Sequence, residues 1–483
     1  MASINRALID GARGDSVADR AAATRSDARA ARLVARMEHI PFSPWHRRAR
    51  IVMGSATFLD AFDALSLAFA MPVLVKLWHL GPAQIGWLIG ASYIGQLVGA
   101  LIFSRLAETR GRVPSAATAT AIMSVMGLAC IFAGSLPLLF ACRLIQGVGV
   151  GGEMPVAATY VSELSRARGR GRFFMLYELI FPIGLMMTGQ LAAWLVPTFG
   201  WQALFALGAV PGLVIAMLVW RLPESPRWLI GRQRFDEAET AIAAAEASAG
   251  RRFDDFRPLE GGALDTAASA VAAQVSVSPG VPWHELLSAT FRARTLITWT
   301  LWASAFFVAN SLNNWMPTLY HTVYNLPLQS ALRAASLTNV AQVLVLLGCA
   351  FCIDLIGRRI WTVTSFVVSG LLLAGLAISG AGNVALVIVV ATIAYGVVGS
   401  NNAVLYLYTP EIYPTRMRAI GTGLATSWLR LASAVGPTLV GLMVTAHGVR
   451  WVFAMFAGVA AVGALAATGM IETRSRKLED IAA

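Results

Sequence analysis

Charged residues are scarce in this chain, and their scarcity limits the kinds of protein it can be. Only 13% of the 483 residues are Asp, Glu, Lys or Arg, whereas 57% are hydrophobic. Water-soluble domains carry about 25% charged residues, so the composition excludes a series of ordinary soluble domains. Acidic residues are fewer than basic ones, and the net charge is +12. This positive charge could suit a nucleic-acid ligand, and the positions of the basic residues decide whether it does.

Cysteine and histidine are too few and too scattered to suggest a catalytic or metal centre. Cys349 and Cys352 have Cys-x-x-Cys spacing, but they lie in an apolar run with no strand-helix-strand pattern around it. The glycine-rich run 147–152 follows no strand, which excludes a dinucleotide site. The six histidines form no Ser/His/Asp arrangement. We therefore expect neither an enzyme nor a bound metal or cofactor.

Long apolar runs are what the chain has in abundance. Runs of roughly 20 residues are long enough to cross a bilayer as helices. They predict an all-α membrane protein with twelve transmembrane helices in two pseudo-symmetric six-helix bundles. The predicted spans are 51–77, 83–107, 114–134, 136–162, 173–196, 201–222, 295–320, 331–356, 360–380, 383–409, 419–444 and 448–471.

The basic residues are concentrated in alternate loops, whereas the opposite loops carry little beyond Lys76 and Arg450. By the positive-inside rule both termini are cytoplasmic, and the positive charge orients the chain in the cell (inner) membrane rather than binding nucleic acid. The predicted divisions are a mobile N-terminal tail 1–50 with some helix near 16–37, a bundle 51–222, a linker 223–293 with short helices, a bundle 294–472 and a C-terminal tail 473–483.

Two polar motifs occur once in each half at nearly the same spacing, which predicts homologous bundles. Position 108 is separated from its counterpart 354 by 246 residues, and position 163 from its counterpart 411 by 248. We expect Arg112 to pair with Glu163, and Arg358 with Glu411, the glutamate at the end of the fourth helix of each half. These pairs would form latches that hold an outward-open state and break as the halves rock. The predicted gating residues are Glu108, Arg112 and Glu163, repeated as Asp354, Arg358 and Glu411.

Ionisable residues inside predicted spans are costly in a bilayer and so indicate function. Asp60 and Asp63 lie three residues apart on the first helix, where two carboxylates in a low dielectric resist ionising together and favour a proton site. Arg143 is ten residues before Glu153, too far to pair with it along one helix. We expect Arg143 to pair with Asp60 or Asp63, while Glu153 is equally a second proton carrier or an interhelical strut.

Arg430 is the one basic residue well inside the second bundle. Its planar guanidinium suits a carboxylate ligand, and we favour this role over a structural ion pair. Amides and aromatic rings predict a wet, substrate-facing cavity, although each amide could equally serve interhelical hydrogen bonding, and Glu178 could equally pair with a loop arginine. The remaining candidate substrate-binding residues are Tyr93, Glu178, Asn310, Asn313, Asn314, Trp315, Asn339, Gln342, Asn401, Asn402 and Tyr406.

Several of these motifs together resemble the major facilitator superfamily over residues 50–472. They are the acid-x-x-Gly-Arg turns, Arg143 with the glycines that follow it, and the segment Pro223-Glu-Ser-Pro-Arg-Trp-Leu229. The segments 59–63, 151–163 and 408–415 resemble the bacterial niacin (nicotinate) permease type, related to aromatic-acid:proton symporters and organic-ion transporters. The resemblance implies proton-coupled transport of a small organic acid, a coupling role for Arg143 and a substrate-binding role for Arg430. Glu108-Thr-Arg110 departs from the usual Asp-Arg of the family turn.

The sequence thus predicts a proton-coupled importer of a small aromatic monocarboxylate that works by alternating access. Its expected partners are the small organic anion, protons and the lipid bilayer, and it is expected to act as a monomer. A sugar or organic-cation transporter of the same fold remains an alternative, since amides suit the first cargo and the buried acids suit the second. A non-transporting membrane sensor or scaffold is a further alternative, which would leave the buried charges without a purpose.

Overall fold

The structure, a computed structural model, describes residues 26–164, 179–250, 283–414 and 417–474, apart from positions 27 and 38. Within these ranges it contains twelve helices of 20 residues or more. They are α1 Pro44–Trp78, α2 Pro82–Thr109, α3 Arg112–Ile131, α4 Leu136–Glu163, α5 Ile180–Phe199, α6 Trp201–Trp220, α7 Arg292–Thr322, α8 Leu328–Ile356, α9 Arg358–Ile378, α10 Val384–Glu411, α11 Arg418–His447 and α12 Val449–Thr468.

Eleven of these twelve helices are long and apolar enough to cross a membrane. The exception is α4, whose interior contains Arg143, Gln146 and Glu153. The prediction of an all-α, multi-pass membrane protein is confirmed, while the count of twelve spans and the cytoplasmic side of the termini stay predictions.

Local sequence explains where the helices begin and turn. The first helix starts at Pro44 rather than at the predicted residue 51, because proline is well suited to the first helical turn and the basic residues that follow lower the hydropathy without breaking the helix. Gly111 and Gly357 immediately precede α3 and α9, with φ of +116° and +97°, a backbone conformation that L side chains rarely adopt. The same turn is therefore built by the same residue type in both halves.

The packing of the helices repeats between the two halves. In the first half α4 packs on α2 and α3, and α3 packs on α6. In the second half α10 packs on α8 and α9, and α9 packs on α12. Each helix of the first half thus corresponds to the helix six places later in the second half. The contacts between the halves obey the same correspondence, because α2 packs against α11 as α8 packs against α5, and α1 packs against its own counterpart α7. This arrangement is expected of two bundles joined by a pseudo-twofold axis.

The described part of the predicted N-terminal tail is packed rather than mobile. Residues 28–37 are helical and share a hydrophobic cluster with the linker helices Pro226–Gly231 and Phe235–Ser248. Arg36 donates to both carboxylate oxygens of Glu246, at 2.9 and 2.7 Å. The expectation of a mobile tail is corrected here, because apolar side chains and a partly buried ion pair hold this segment on the linker. Residues 1–25 and the middle of the linker, 251–282, lie outside the described residues.

Candidate functional site

The repeated charges form a compact cluster in each half, at the face predicted to be cytoplasmic. In the first half Arg112 lies 3.0 Å from Glu163 and 3.3 Å from Glu108. In the second half Arg358 lies 3.4 Å from Glu411 and 2.8 Å from Asp354. The expected partners are therefore in place, and each cluster lies entirely within its own half.

A third acid belongs to each cluster, and the sequence reasoning missed it. Glu224 accepts hydrogen bonds from the backbone N–H groups of Arg112 and Val113 at 3.0 and 3.2 Å, at the positive end of α3. Glu472 does the same for Arg358 and Arg359, at 3.0 Å each.

A repeat signal for this acid was present, because position 472 follows position 224 by 248 residues, the spacing of the Tyr-x-x-Glu motif. A Cβ atom at either turn glycine, Gly111 or Gly357, would collide with the corresponding carboxylate. The glycines of the repeated turn are therefore needed for the close approach of this acid as well as for their positive φ.

A cavity of about 720 Å³ lies between the two halves. Its wall includes Asp60 from the first half and Arg430 from the second, and it extends to Asp354 and Arg358 at the predicted cytoplasmic face. At the opposite face α2 and α11 are in close contact, since a Cβ atom on Gly86 would lie 2.6 Å from Thr438 Cα. The cavity thus reaches one face of the membrane protein while the halves are packed together at the other.

Of the four residues predicted to couple protons, Asp60 alone lines the cavity. Its side chain is 2% exposed, and its Oδ1 atom has no hydrogen-bond partner among the described residues. The charged groups that act on it electrostatically are Glu153, Asp63 and Arg430. A buried carboxylate with two acids and one guanidinium as charged neighbours is suited to taking up and releasing a proton.

Asp63 has a different environment from Asp60, because it is paired. Arg143 lies 3.2 Å from its Oδ2 atom, and Gln146 donates to its Oδ1 atom at 2.6 Å. Arg143 also donates to Ser92 Oγ at 3.0 Å and lies over the Phe205 ring at 5.7 Å. The structure therefore selects Asp63 from the two acids proposed as partners of Arg143, and the pair is satisfied within the first half.

Glu153 lies outside the cavity wall and is fully buried. Its Oε1 atom accepts a hydrogen bond from Thr57 Oγ1 at 3.1 Å, which joins α4 to α1. This contact fits the interhelical strut, one of the two roles left open for the residue, and the electrostatic contact with Asp60 keeps it within reach of the proton site.

Arg430 lines the cavity with a guanidinium that has no acidic partner within ion-pair distance among the described residues. Its Nη1 atom donates to the Thr426 carbonyl at 3.2 Å and its Nη2 atom lies 3.5 Å from the Gly151 carbonyl. The Nε atom is buried and has no hydrogen-bond partner in the described chain. An arginine held only by neutral acceptors keeps its positive charge available to an anion.

Amide side chains and tyrosines form a connected polar wall on the second half. Asn314 donates to Tyr93 across the interface at 3.2 Å. Tyr395, which the sequence reasoning missed because it is a single ring in an apolar run, lines the cavity and donates to Gln342 at 2.9 Å. The cavity residues on this wall that the sequence predicted are Asn310, Asn313, Asn314, Gln342, Asn402 and Tyr406.

Three predicted ligands lie behind this wall instead of on it. Trp315 is 1% exposed and donates its Nε1–H to the Pro437 carbonyl at 2.9 Å, so it packs α7 against α11. Asn339 is buried and exchanges hydrogen bonds with Asn313 at 3.2 and 3.3 Å, and Asn401 is fully buried. Helical periodicity turned these side chains away from the cavity, which residue type alone could not reveal. Glu178 lies outside the described residues.

Comparison with known proteins identifies the family. The family described as "Sugar (and other) transporter" matches residues 63–483. The chain belongs to this family. The sugar transporter family falls within the major facilitator superfamily, so the relationship predicted from the turns and from the glycines of α4 is confirmed. The chain is therefore a transporter of the membrane rather than an enzyme.

Relatives of this chain include proteins named as transporters of aromatic acids. The niacin transporter NiaP of Acinetobacter baylyi is 32% identical over 93% of this chain and 99% of its own length. The 4-hydroxybenzoate transporter PcaK of Pseudomonas aeruginosa is 26% identical over 83% of this chain and 88% of its own length. Among solved structures, the xylose transporter XylE from E. coli in an inward-open conformation has a TM-score of 0.70 at 19% identity, covering 89% of this chain and 98% of XylE. That likeness shows the fold alone.

Proposed function

We propose that this protein imports a small aromatic monocarboxylate together with a proton, by alternating access of one central cavity. The observation that carries the proposal is the pair of side chains facing this cavity. Arg430, from the second half, has no acidic partner, and Asp60, from the first half, has no basic partner within ion-pair distance among the described residues. One group is suited to bind an anion and the other to bind a proton.

The choice of a carboxylate follows from the chemistry of Arg430. A buried cation costs free energy unless a counter-charge is present, and the two carbonyls that hold this guanidinium supply none. A carboxylate entering the cavity would provide the counter-charge and accept charge-assisted hydrogen bonds. The ring of an aromatic acid would then pack against tyrosines that line the cavity, such as Tyr93 of the first half and Tyr406 of the second.

Proton coupling follows from the position of Asp60 beside the same cavity. When the substrate carboxylate neutralises Arg430, the ionised Asp60 loses a stabilising positive field, and protonation becomes more favourable. Substrate and proton then bind in a mutually favourable way, as linkage requires of a coupled carrier. Asp63 is a less suitable proton site because Arg143 already compensates its charge.

We propose that the repeated charge clusters belong to the gate, but in a different form from the breakable latches expected from the sequence. Arg112 pairs with Glu163 within the first half, and Arg358 pairs with Glu411 within the second, while the cavity still reaches Arg358. Neither pair can by itself bind the two halves together. We propose that each cluster stiffens its own half, so that the halves move as units and closure of this face brings the two clusters together.

A sugar is the second candidate cargo, because a specific observation favours it. The wall contains five amide side chains, which can donate and accept hydrogen bonds to hydroxyl groups, and the family is described as one of sugar and other transporters. The charge on Arg430 distinguishes the two candidates, since a neutral sugar provides no carboxylate to pair with that guanidinium.

Thermal-shift measurements on the purified chain test the substrate class. A ligand stabilises the folded protein in proportion to the logarithm of its concentration over Kd. We expect nicotinate and 4-hydroxybenzoate to raise Tm at low concentration, nicotinamide to raise it only at much higher concentration, and xylose to have little effect.

Arg430→Gln should weaken nicotinate binding about 10- to 100-fold, the value of hydrogen bonds to a charged group, without lowering Tm in the absence of ligand. The matched control is Arg333→Gln, which removes an exposed arginine from α8. A nicotinate response that survives in Arg430→Gln would overturn the anion site.

A further inference from the structure

A proline in α4 determines which atoms hold Arg430. Pro155 lies inside this helix, one turn after Gly151, and proline has no backbone N–H. The Gly151 carbonyl therefore lacks the helical donor that position 155 would otherwise supply. Arg430 Nη2 lies 3.5 Å from that oxygen, and it comes from α11, in the other half of the molecule.

The acceptors that contact Arg430 carry no charge, and this matters for an anion site. The two acceptors of the guanidinium, the carbonyls of Gly151 and Thr426, are neutral. They fix the position of the side chain without cancelling its charge, which an aspartate or glutamate would do. The Nε atom remains buried without a partner in the described chain. Arg430 is thus held in place on the cavity wall while its charge and part of its hydrogen-bonding capacity remain unused.

We propose that Pro155 is a positioning residue for substrate binding. By withholding its N–H it leaves the Gly151 carbonyl free to hold the Arg430 guanidinium on the cavity wall, ready for a monocarboxylate. The inference rests on the proposed function, because it assumes that Arg430 binds the substrate anion. It adds Pro155, a residue of the first half, to a binding site in which the residue that contacts the anion, Arg430, belongs to the second half.

The contact also connects substrate binding to the relation between the halves. The guanidinium has five N–H groups, and the Gly151 and Thr426 carbonyls accept from only two of them. A bound carboxylate can therefore take charge-assisted hydrogen bonds from the remaining groups while the contact between α4 and α11 is kept. The Gly151 carbonyl and the substrate then hold the same guanidinium, so the contact contributes to substrate affinity.

Pro155→Ala separates this role from that of a simple helix kink. Alanine restores the N–H at position 155, which recaptures the Gly151 carbonyl for the helix. We expect the Kd for nicotinate, measured by titration of the purified full-length chain, to rise about three- to tenfold, the value of one hydrogen bond. The Kd for nicotinamide, the neutral analogue, should not change, because it does not depend on the charge of Arg430.

Two further variants control the experiment. Pro211→Ala makes the same chemical change inside α6, where the freed carbonyl belongs to Leu207, which is 40% exposed, and it should leave both Kd values as in the wild type. In the Arg430→Gln background, Pro155→Ala should cause no additional loss of nicotinate affinity. Pro155→Ser restores the same N–H and takes the place of the alanine variant if that variant does not fold.

The outcomes distinguish the inference from the function on which it rests. The inference alone is overturned if Arg430→Gln weakens nicotinate binding but Pro155→Ala does not, or if Pro155→Ala weakens acid and amide alike. It is also overturned if the effect of Pro155→Ala persists without Arg430. If Arg430→Gln binds nicotinate as the wild type does, the anion site itself is absent and both proposals fail.

Discussion

Asp60 and Asp63 lie three residues apart on one helix, and the difference between their surroundings assigns them different tasks. Asp63 is enclosed by Arg143 and Gln146, whereas Asp60 faces the cavity with an oxygen that no described residue satisfies. In sequence the two acids are equivalent candidates for a proton site. Only the approach of α4 to α1 decides between them, and no local pattern encodes which acid the arginine reaches.

Stability measurements should separate the two acids. Asp63→Asn leaves Arg143 buried without a counter-charge, which typically costs about 3–5 kcal/mol, so we expect a clearly lower Tm in detergent. Asp60→Asn removes no ion pair, so its Tm should equal or exceed that of the wild type. Equal losses in the two variants would show that the acids share one charge network, contrary to the pairing described above.

At the scale of elements, each half is built around a turn that three acids and one arginine hold together. The sequence predicted the turn, the arginine and two of the acids, because these belong to motifs with a visible repeat. It missed Glu224 and Glu472, since each follows the sixth helix of its half and reaches the turn only in the folded bundle. The helices themselves were predictable from their apolar runs, except for the polar start of α1 and the segments packed on the linker.

Glu224 makes the contribution of the first of these turns to the stability of the protein depend on pH. Burial raises the pKa of the Glu224 carboxyl above its ordinary value near 4.5. A group that binds its proton more tightly when folded contributes stability at low pH, and this contribution is lost as pH rises through the raised pKa. The variant Glu224→Gln does not titrate, so its stability relative to the wild type should improve as pH rises from about 4.5.

The substitution also has a cost at every pH. A glutamine has one acceptor oxygen where the carboxylate has two, so Glu224→Gln loses a helix-cap hydrogen bond worth about 1 kcal/mol. Thermal unfolding in detergent between pH 4.5 and pH 8 measures both effects, and the exposed Glu237→Gln on the linker helix is the control. A difference from the wild type that is the same at every pH would contradict the burial of this carboxyl.

In the whole molecule, the features repeated in both halves and the features that occur once have different positions and different roles. What is repeated in both halves, the turn clusters and the helix pairs, lies at one face and in the packing between bundles. What occurs once, Asp60 in the first half and Arg430 in the second, lies on the wall of the central cavity. The repeated parts suit the motion of a carrier, and the unrepeated parts suit the choice of cargo and its coupling to protons.

Substrate identity is the part that the sequence and the fold leave least determined. The amide wall would suit a sugar as well as it suits the ring of an acid, and the fold is shared with a xylose carrier. Side-chain orientation decided which candidates reach the cavity, since Trp315 and Asn339 point elsewhere. These orientations depend on how each helix rotates against its neighbours, which apolar periodicity constrains only loosely inside a membrane.

Uptake of radiolabelled nicotinate into proteoliposomes with an imposed pH gradient measures substrate transport together with its coupling to protons. We expect the wild type to accumulate nicotinate on the alkaline side above the concentration outside. Asp60→Asn should still exchange nicotinate across the membrane but accumulate none. Proton-coupled import through Asp60 would be refuted if the wild type equilibrated nicotinate without responding to the pH gradient, or if Asp60→Asn accumulated it as the wild type does.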